Sequence, residues 1–206
     1  SPRPPGATNP LRERLQNLRW QRSAGLPPNV SPFLGSQINP QFAKMLDLSE
    51  TDAARLLAAA QAAQQQIEQL RDTRAAAHIS ADHKQLIVDV PPLDPDASRV
   101  IYDQFNAQVV ATLDPDRLAL ANEIAGDGFE RLYDRFGLNP VRYELTLDTK
   151  AEFNGAPVFE YKRHYVGADG VSTGWSGSTQ TLDQIRKSDP DLARFLASSV
   201  SDLGGR

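Results

Sequence analysis

A seven-residue apolar repeat between Leu48 and Phe136 constrains this chain more than any other feature. In its first segment Leu56, Ala60, Ala63, Ile67, Leu70, Arg74 and Ala77 alternate at spacings of four and three, with Arg74 the one misfit. That spacing keeps one face of a helix apolar. The opposite face carries Gln64, Gln65, Glu68, Arg71 and Asp72 and reads as solvated. A later segment repeats the pattern with Leu118, Ala121, Ala125, Phe129, Leu132 and Phe136, widened by Leu120 and Ile124. The first stripe is thin and alanine-rich, and the second is bulky. Small against large suits two helices packing side by side, so the pattern predicts a helical hairpin or bundle.

The helix starts have a chemical cause. Asp94-Pro95-Asp96, Asp114-Pro115-Asp116 and Asp189-Pro190-Asp191 are three copies of one device. The first Asp accepts from orphan N–H groups, and Pro at the first helical position loses no bond. The second Asp lies where the helix dipole favours negative charge. Ser49 to Asp52 and Thr181 to Gln184 are further start signals of the capping-box kind. These roles account for the carboxylates without acid–base or metal chemistry. Between the striped segments, Lys84 to Val90 reads as a strand that pairs with sheet further on, and Pro95 to about Thr112 as a helix presenting Ile101, Phe105 and Val109. Gly126 lies inside the third helical repeat, which runs through it unbroken, so one helix to Phe136 is expected with Gly126 as a close-approach point.

From Val141 the apolar period changes to two. Val141, Tyr143, Leu145 and Leu147 alternate with Arg142, Glu144, Thr146 and Asp148. Asn154-Gly155 and Asp169-Gly170 are turn signals. They predict an antiparallel meander: Val141 to Phe153, Val158 to Val166 and Val171 to Trp175. Phe159, Tyr161 and Tyr165 share a face with Arg163, while Glu160, Lys162 and His164 share the other. Gly174, Gly177 and the nearby Ser and Thr residues read as a flexible exit before a short helix with Leu192, Phe195 and Leu196. The expected class is α+β and mainly helical: a helical hairpin or bundle, then a small antiparallel β-meander and a short C-terminal helix. The expected regions are a basic lead-in with a short amphipathic helix (1–22), an extended connector packed on the core (23–46), the bundle (47–137), and the meander with its terminal helix (138–206).

Composition narrows function. The 206 residues contain no cysteine, which excludes disulfides, thiolate metal sites and cysteine nucleophiles. No run reaches the ~18 apolar residues of a membrane span. Residues 1–22 carry five Arg against one Glu, or +4, which leaves −8 for the rest of a chain of net charge −4. An acidic body argues against a nucleic-acid partner. The lead-in helix, capped by Asn9-Pro10 with Leu11, Leu15, Leu18 and Trp20, is expected to dock on the main hairpin; membrane or partner contact is the sharper alternative. The chain begins at Ser1 and not Met, so a preceding signal peptide, anchor or tag is expected to have been removed, and tethering to a membrane would run through it.

Three candidate sites follow. Gly174-Trp175-Ser176-Gly177-Ser178 nearly matches the nucleophile elbow, with Ser in place of the last Gly and without the strand–turn–helix context; a hydrolase would combine Ser176, His164 and an Asp such as Asp169. His78 and His83 with Asp82 are candidate metal ligands, at a spacing that does not put both imidazoles on one helical face. Phe105 and Phe129 are candidate walls of an apolar groove for a polypeptide, and Tyr161, His164 and Trp175 a candidate small-ligand pocket. No phosphate-binding glycine loop is present, and no cofactor is implied.

Leu48-Ser49-Glu50-Thr51-Asp52 and Leu113-Asp114-Pro115-Asp116-Arg117 each open an amphipathic helix after a leucine. In this, residues 42–136 resemble the L-T-x-x-Q motif of the periplasmic helical-hairpin family of stress chaperones and metal-sensing proteins. Neither copy ends in Gln, the second has Asp for Thr, and the β-rich end has no counterpart there. The resemblance implies a non-enzymatic, extracytoplasmic, chaperone-like protein that binds polypeptides. A small-ligand or metal-ion sensor is the alternative expectation, and a serine hydrolase the third.

Overall fold

A computed structural model describes residues 9–24, 30–166, 172–188, 192 and 196, with backbone alone at 149–151, 165, 166, 172–176 and 188. In chain order the elements are α1 (Pro10–Ser23), β1 (Phe33–Leu34), β2 (Gln37–Ile38), α2 (Pro40–Met45), α3 (Glu50–Asp72), β3 (Ala76–Ile79), β4 (Gln85–Val90), α4 (Pro95–Thr112), α5 (Pro115–Ala125), α6 (Leu132–Phe136), β5 (Val141–Phe153), β6 (Ala156–Val166), β7 (Ser172–Thr181) and α7 (Leu182–Ser188). The protein is α+β with an antiparallel sheet. It divides into two compact units, Ser1–Gln66 with Asp96–Phe136, and Ile67–Pro95 with Gly137–Arg206. The chain crosses from one to the other within α3.

The first unit is helical around an aromatic core. Phe42 and Phe129 meet edge to face with centroids 5.9 Å apart, and Phe105 packs against both Phe129 and Phe136. Aromatic pairs of this geometry contribute about 0.5–1.5 kcal/mol beyond the area they bury. Within the segment read as an extended connector lie β1, β2 and α2; Phe33, Phe42 and Leu46 are buried, and the Val30 N–H donates to the Ile124 carbonyl. Asn9 and Asn39 each cap a helix, accepting from the N–H two residues on, with Pro following. Helix α1 packs against α5. Its arginines are engaged there and nearby: Arg12 with Asp116, Arg14 with Asp47, Arg19 and Arg22 with Glu123. The basic lead-in helix therefore docks, and Trp20 stays 70% exposed at its end.

The two leucine-led helix starts meet inside this unit. Ser49 accepts from the Asp52 N–H, and Asp114 accepts from the Arg117 N–H. Arg117 then joins Asp52 at 3.2 Å and donates to the Asp47 carbonyl. The residues that carry the family resemblance are thus bound to one another.

Two expected helices are shorter than their repeats. Helix α3 stops at Asp72, one residue before Thr73-Arg74, so the misfit Arg74 lies outside it and Ala77 belongs to β3. Helix α5 stops at Ala125, with Gly126 as C-cap at φ +56°. A Cβ on Gly126 would meet no atom closer than 3.8 Å, whereas one on Gly128 would lie 2.9 Å from the Ala125 carbonyl. Gly126 serves a backbone turn, and Gly128 is the close approach. The repeat continues because Phe129 and Phe136 still face the core across the break. Tyr133 to Phe136 form a left-handed turn, with φ between +51° and +57°. Such a conformation costs about 1–2 kcal/mol per non-glycine residue. It holds Phe136 against Tyr102, Phe105 and Tyr133, contacts that offset part of the cost.

The second unit is a five-stranded sheet in the order β3-β4-β5-β6-β7, every pair antiparallel. The strand read at 84–90 pairs with β5 as expected. Asn154-Gly155 makes the β5–β6 turn with both φ positive, as a tight hairpin needs. The second turn signal, Asp169-Gly170, lies outside the described residues, as do Asp189-Pro190-Asp191 and Phe195. The expected exit at Gly174 and Gly177 is strand β7, which continues to Thr181. There Thr181 and Gln184 form the capping box that opens α7. Leu86, Val88, Val141, Tyr143, Leu145, Phe159 and Tyr161 form one buried face of the sheet with Ile185, Leu192 and Leu196.

Candidate functional site

Strand alternation separates the second unit's chemistry from its core. The register pairs Asp89 with Arg142, Arg142 with His164 and His164 with Trp175, so one row of positions crosses four strands. The next row pairs Ile87 with Glu144 and Glu144 with Lys162. These are the positions between those that build the core, and side chains on alternate positions leave a strand on opposite faces.

Arg142 donates from Nε to Asp89 Oδ1 at 2.6 Å. That hydrogen bond, aided by the charges of Asp89 and Glu144 and opposed by partial burial, raises the arginine's pKa above its ordinary value. His164 Nε2 lies 3.4 Å from Glu144 Oε2, out of line for a hydrogen bond and shielded from solvent. Arg74, just past the end of α3, has no side-chain hydrogen bond or ion pair among the described residues. These groups line a cleft of about 460 Å³ with Val90, Pro91, Pro140 and Val141.

The sheet also has two edges. β3 is four residues long. β7 is ten residues long, Ser-Thr-Gly-Trp-Ser-Gly-Ser-Thr-Gln-Thr, and pairs with β6 alone among the described strands. It contains no charged residue and no proline. Proteins usually blunt an edge with lysine, proline, a bulge or a short strand; in β7 the one such device is a register shift between Tyr165 and Val166 on the β6 side.

The residues singled out from sequence fall in separate places. Phe105 and Phe129 are 3% and 8% exposed and belong to the first unit's aromatic core, and of the two Phe105 alone lines a groove among the described residues. A groove of about 500 Å³ does run between α3 and α4. Ala58, Ala59 and Ala62 face it, with Gln66, Gln104 and Gln108 beside them, and Phe105 meets it from beneath. Tyr161 lies in the sheet's core, while His164 holds a position of the other face; the expected pocket of Tyr161, His164 and Trp175 is split by strand parity. For Trp175 and Ser176 the backbone alone is described. Ser176 pairs with Arg163 and not with His164, and it lies within a strand, not at a strand–turn–helix corner. Asp169 lies outside the described residues.

His78 is exposed on β3, opposite Ile87. His83 sits at φ +55° in the β3–β4 turn, its N–H donating to the Ser80 carbonyl. Asp82 is engaged by that turn, accepting from the Ser80 hydroxyl and the Lys84 N–H. Those two bonds, the Ser80 one first, hold its pKa below the ordinary carboxylate range. No group of three metal-ligating side chains converges among the described residues.

Sequence reasoning missed Arg74, Asp89, Arg142 and Glu144 as a group. The signal was slight: Asp89 interrupts an apolar run, and Arg142 and Glu144 stand far off in the sequence. Only the register brings them together. Comparison with models of protein families, with curated proteins and with solved structures found no match.

Proposed function

We propose that this chain is a non-enzymatic interaction module, chaperone-like in action, that binds an extended segment of a polypeptide partner by adding it to the sheet at β7. The observation that carries this reading is an uncharged ten-residue edge strand that pairs with β6 alone among the described strands. Such a strand is about 34 Å long, and its outward N–H and C=O groups match those of any extended chain. Main-chain bonds supply the affinity in strand addition, so one edge accepts many sequences. That suits a client-binding role better than a pocket shaped to one molecule. Apart from Trp175 and Gln180, β7 is made of Ser, Thr and Gly, which add little bulk to exclude a partner. Placement outside the cytoplasm, in the periplasm, is part of the proposal and is supported by the resemblance of residues 42–136.

The test uses a labelled ten-residue peptide rich in Thr and Val and a version with proline at its centre. Binding of the first and not the second is expected. Ser178→Lys with Thr179→Lys places charge at two exposed positions of β7 and is expected to weaken binding about tenfold or more without lowering Tm. Equal binding of both peptides, or an unchanged affinity in the double variant, contradicts the reading.

A further inference from the structure

We infer that the cleft on the polar side of the sheet, at Arg74, Arg142 and His164, is a binding site for a small oxyanion, a carboxylate or phosphate carried on a molecule of modest size. Its volume of about 460 Å³ lies within the range of small-molecule sites. Two arginines there keep donors without acceptors among the described residues. Arg142 gives Nε to Asp89 and makes no other hydrogen bond among the described residues, so its two terminal nitrogens are open. The 2.6 Å bond fixes the plane of the guanidinium, and a fixed fork loses less entropy when it binds a second carboxylate. Arg74 lines the same cleft, again without an acceptor among the described residues. His164 Nε2 is shielded from solvent and accepts or donates no bond.

The carboxylates present do not cancel this capacity. Asp89 is engaged by Arg142, and Glu144 lies beside His164 at 3.4 Å. What remains is two guanidiniums turned to one cleft whose other walls are Val90, Pro91, Pro140 and Val141. Apolar walls lower the local dielectric and strengthen an ionic hydrogen bond. Arginine forks pair with planar carboxylates and with phosphate in bidentate fashion. A bulky polyanion would meet Asp89 and Glu144 as well, so the ligand carries one oxyanion and little further negative charge. This site is separate from the β7 edge and stands whether or not that edge takes a strand.

The experiment is a titration of the whole chain, followed by amide NMR, with sodium acetate, with inorganic phosphate, and with sodium chloride at matched ionic strength. Saturable shifts clustered at residues 74–76, 89–91, 140–144 and 164 are expected for one of the two oxyanions and not for chloride. Acetate alone identifies a carboxylate ligand, and phosphate alone a phosphorylated one. Arg142→Lys keeps the charge and removes the fork; a loss of about tenfold in affinity is expected. Arg74→Gln, at an exposed position whose side chain makes no bond among the described residues, is expected to weaken binding by a similar factor with Tm unchanged. Arg99→Gln, on α4, is expected to leave affinity unaltered. Shifts that never saturate, that chloride reproduces, or that survive in both Arg142→Lys and Arg74→Gln overturn the inference.

Discussion

The arginines that join the first unit's helices contrast with those at the second unit's cleft. In the first, Arg12, Arg14, Arg19, Arg22 and Arg117 each reach a carboxylate of the same unit. They hold helix α1 on α5 and the start of α5 by the start of α3, and their positive charge is locally matched. In the second, Arg142 is half engaged and Arg74 is not engaged among the described residues. The same contrast appears in the backbone. Helices satisfy their own N–H and C=O groups, apart from their ends. A sheet cannot, and its last strand, β7, pairs on one side only among the described strands. Density of charge is therefore a poor guide to a site here. The guide is whether the fold completes each polar group, and in the helical unit it mostly does.

The largest expected effect tests which apolar residues of the helical unit are core. Phe105→Asp buries a charge among aromatic rings and is expected to cost about 4 kcal/mol or more, unfolding the unit. Val100→Asp, five residues earlier on the same helix and 54% exposed, is expected to cost less than about 0.5 kcal/mol. Chemical denaturation of both variants checks this, and similar costs would break the distinction.

Next is glycine in the sheet unit. Gly137 has φ +85°, and a Cβ there would lie 2.7 Å from Leu93 Cδ1. Gly137→Ala is expected to cost about 2–3 kcal/mol, since the strain of positive φ adds to overpacking. Gly155→Ala has φ +75° with open space around it and is expected to cost about 1 kcal/mol. Urea melts of the two variants give the difference.

The left-handed turn in the helical unit gives an effect of opposite sign. Arg135 is exposed with φ +57°, so Arg135→Gly is expected to raise stability by about 1 kcal/mol. In a right-handed helix the same change would lower it by about that amount, and the sign of the Tm shift decides. The smallest effect concerns Asp82 in the β3–β4 turn. Its carboxyl titrates below the ordinary range in the folded chain, so its contribution is present above the unfolded pKa of about 4. That contribution is lost as pH falls through the lower folded value. Carboxyl NMR titration of Asp82, together with a shallower acid dependence of stability in Asp82→Asn, is the expected result.

Much of the architecture was legible because periodicity is a local property. The change from period 3.6 to period 2 at Val141, the Asn154-Gly155 turn and the caps at Asn9, Ser49, Asp114 and Thr181 could each be read from a few residues. Other features depend on distant partners. Arg74 was visible as a misfit, but the repeat alone could not say that the helix ends before it. Gly126 and Gly128 are equivalent by propensity, and only the neighbouring Ala125 carbonyl and Pro32 tell them apart. β7 resembled a loop because its glycines and serines are weak strand formers, and pairing with β6 overrides that preference. The candidate pocket at Tyr161, His164 and Trp175 conflicted with strand alternation already visible in the sequence. The cleft at Arg142 needed the β4–β5 register, which no single stretch encodes.

Amide hydrogen exchange across Ser172 to Thr181 tests the central claim most directly. If β7 is an open edge that accepts a strand, its amides fall into two classes in the free chain: those turned to β6 exchange slowly, and the alternate ones turned outward exchange fast. Adding the strand-forming peptide then slows the fast class. Uniform protection along β7 in the free chain, or a fast class that the peptide leaves unchanged, would contradict the account.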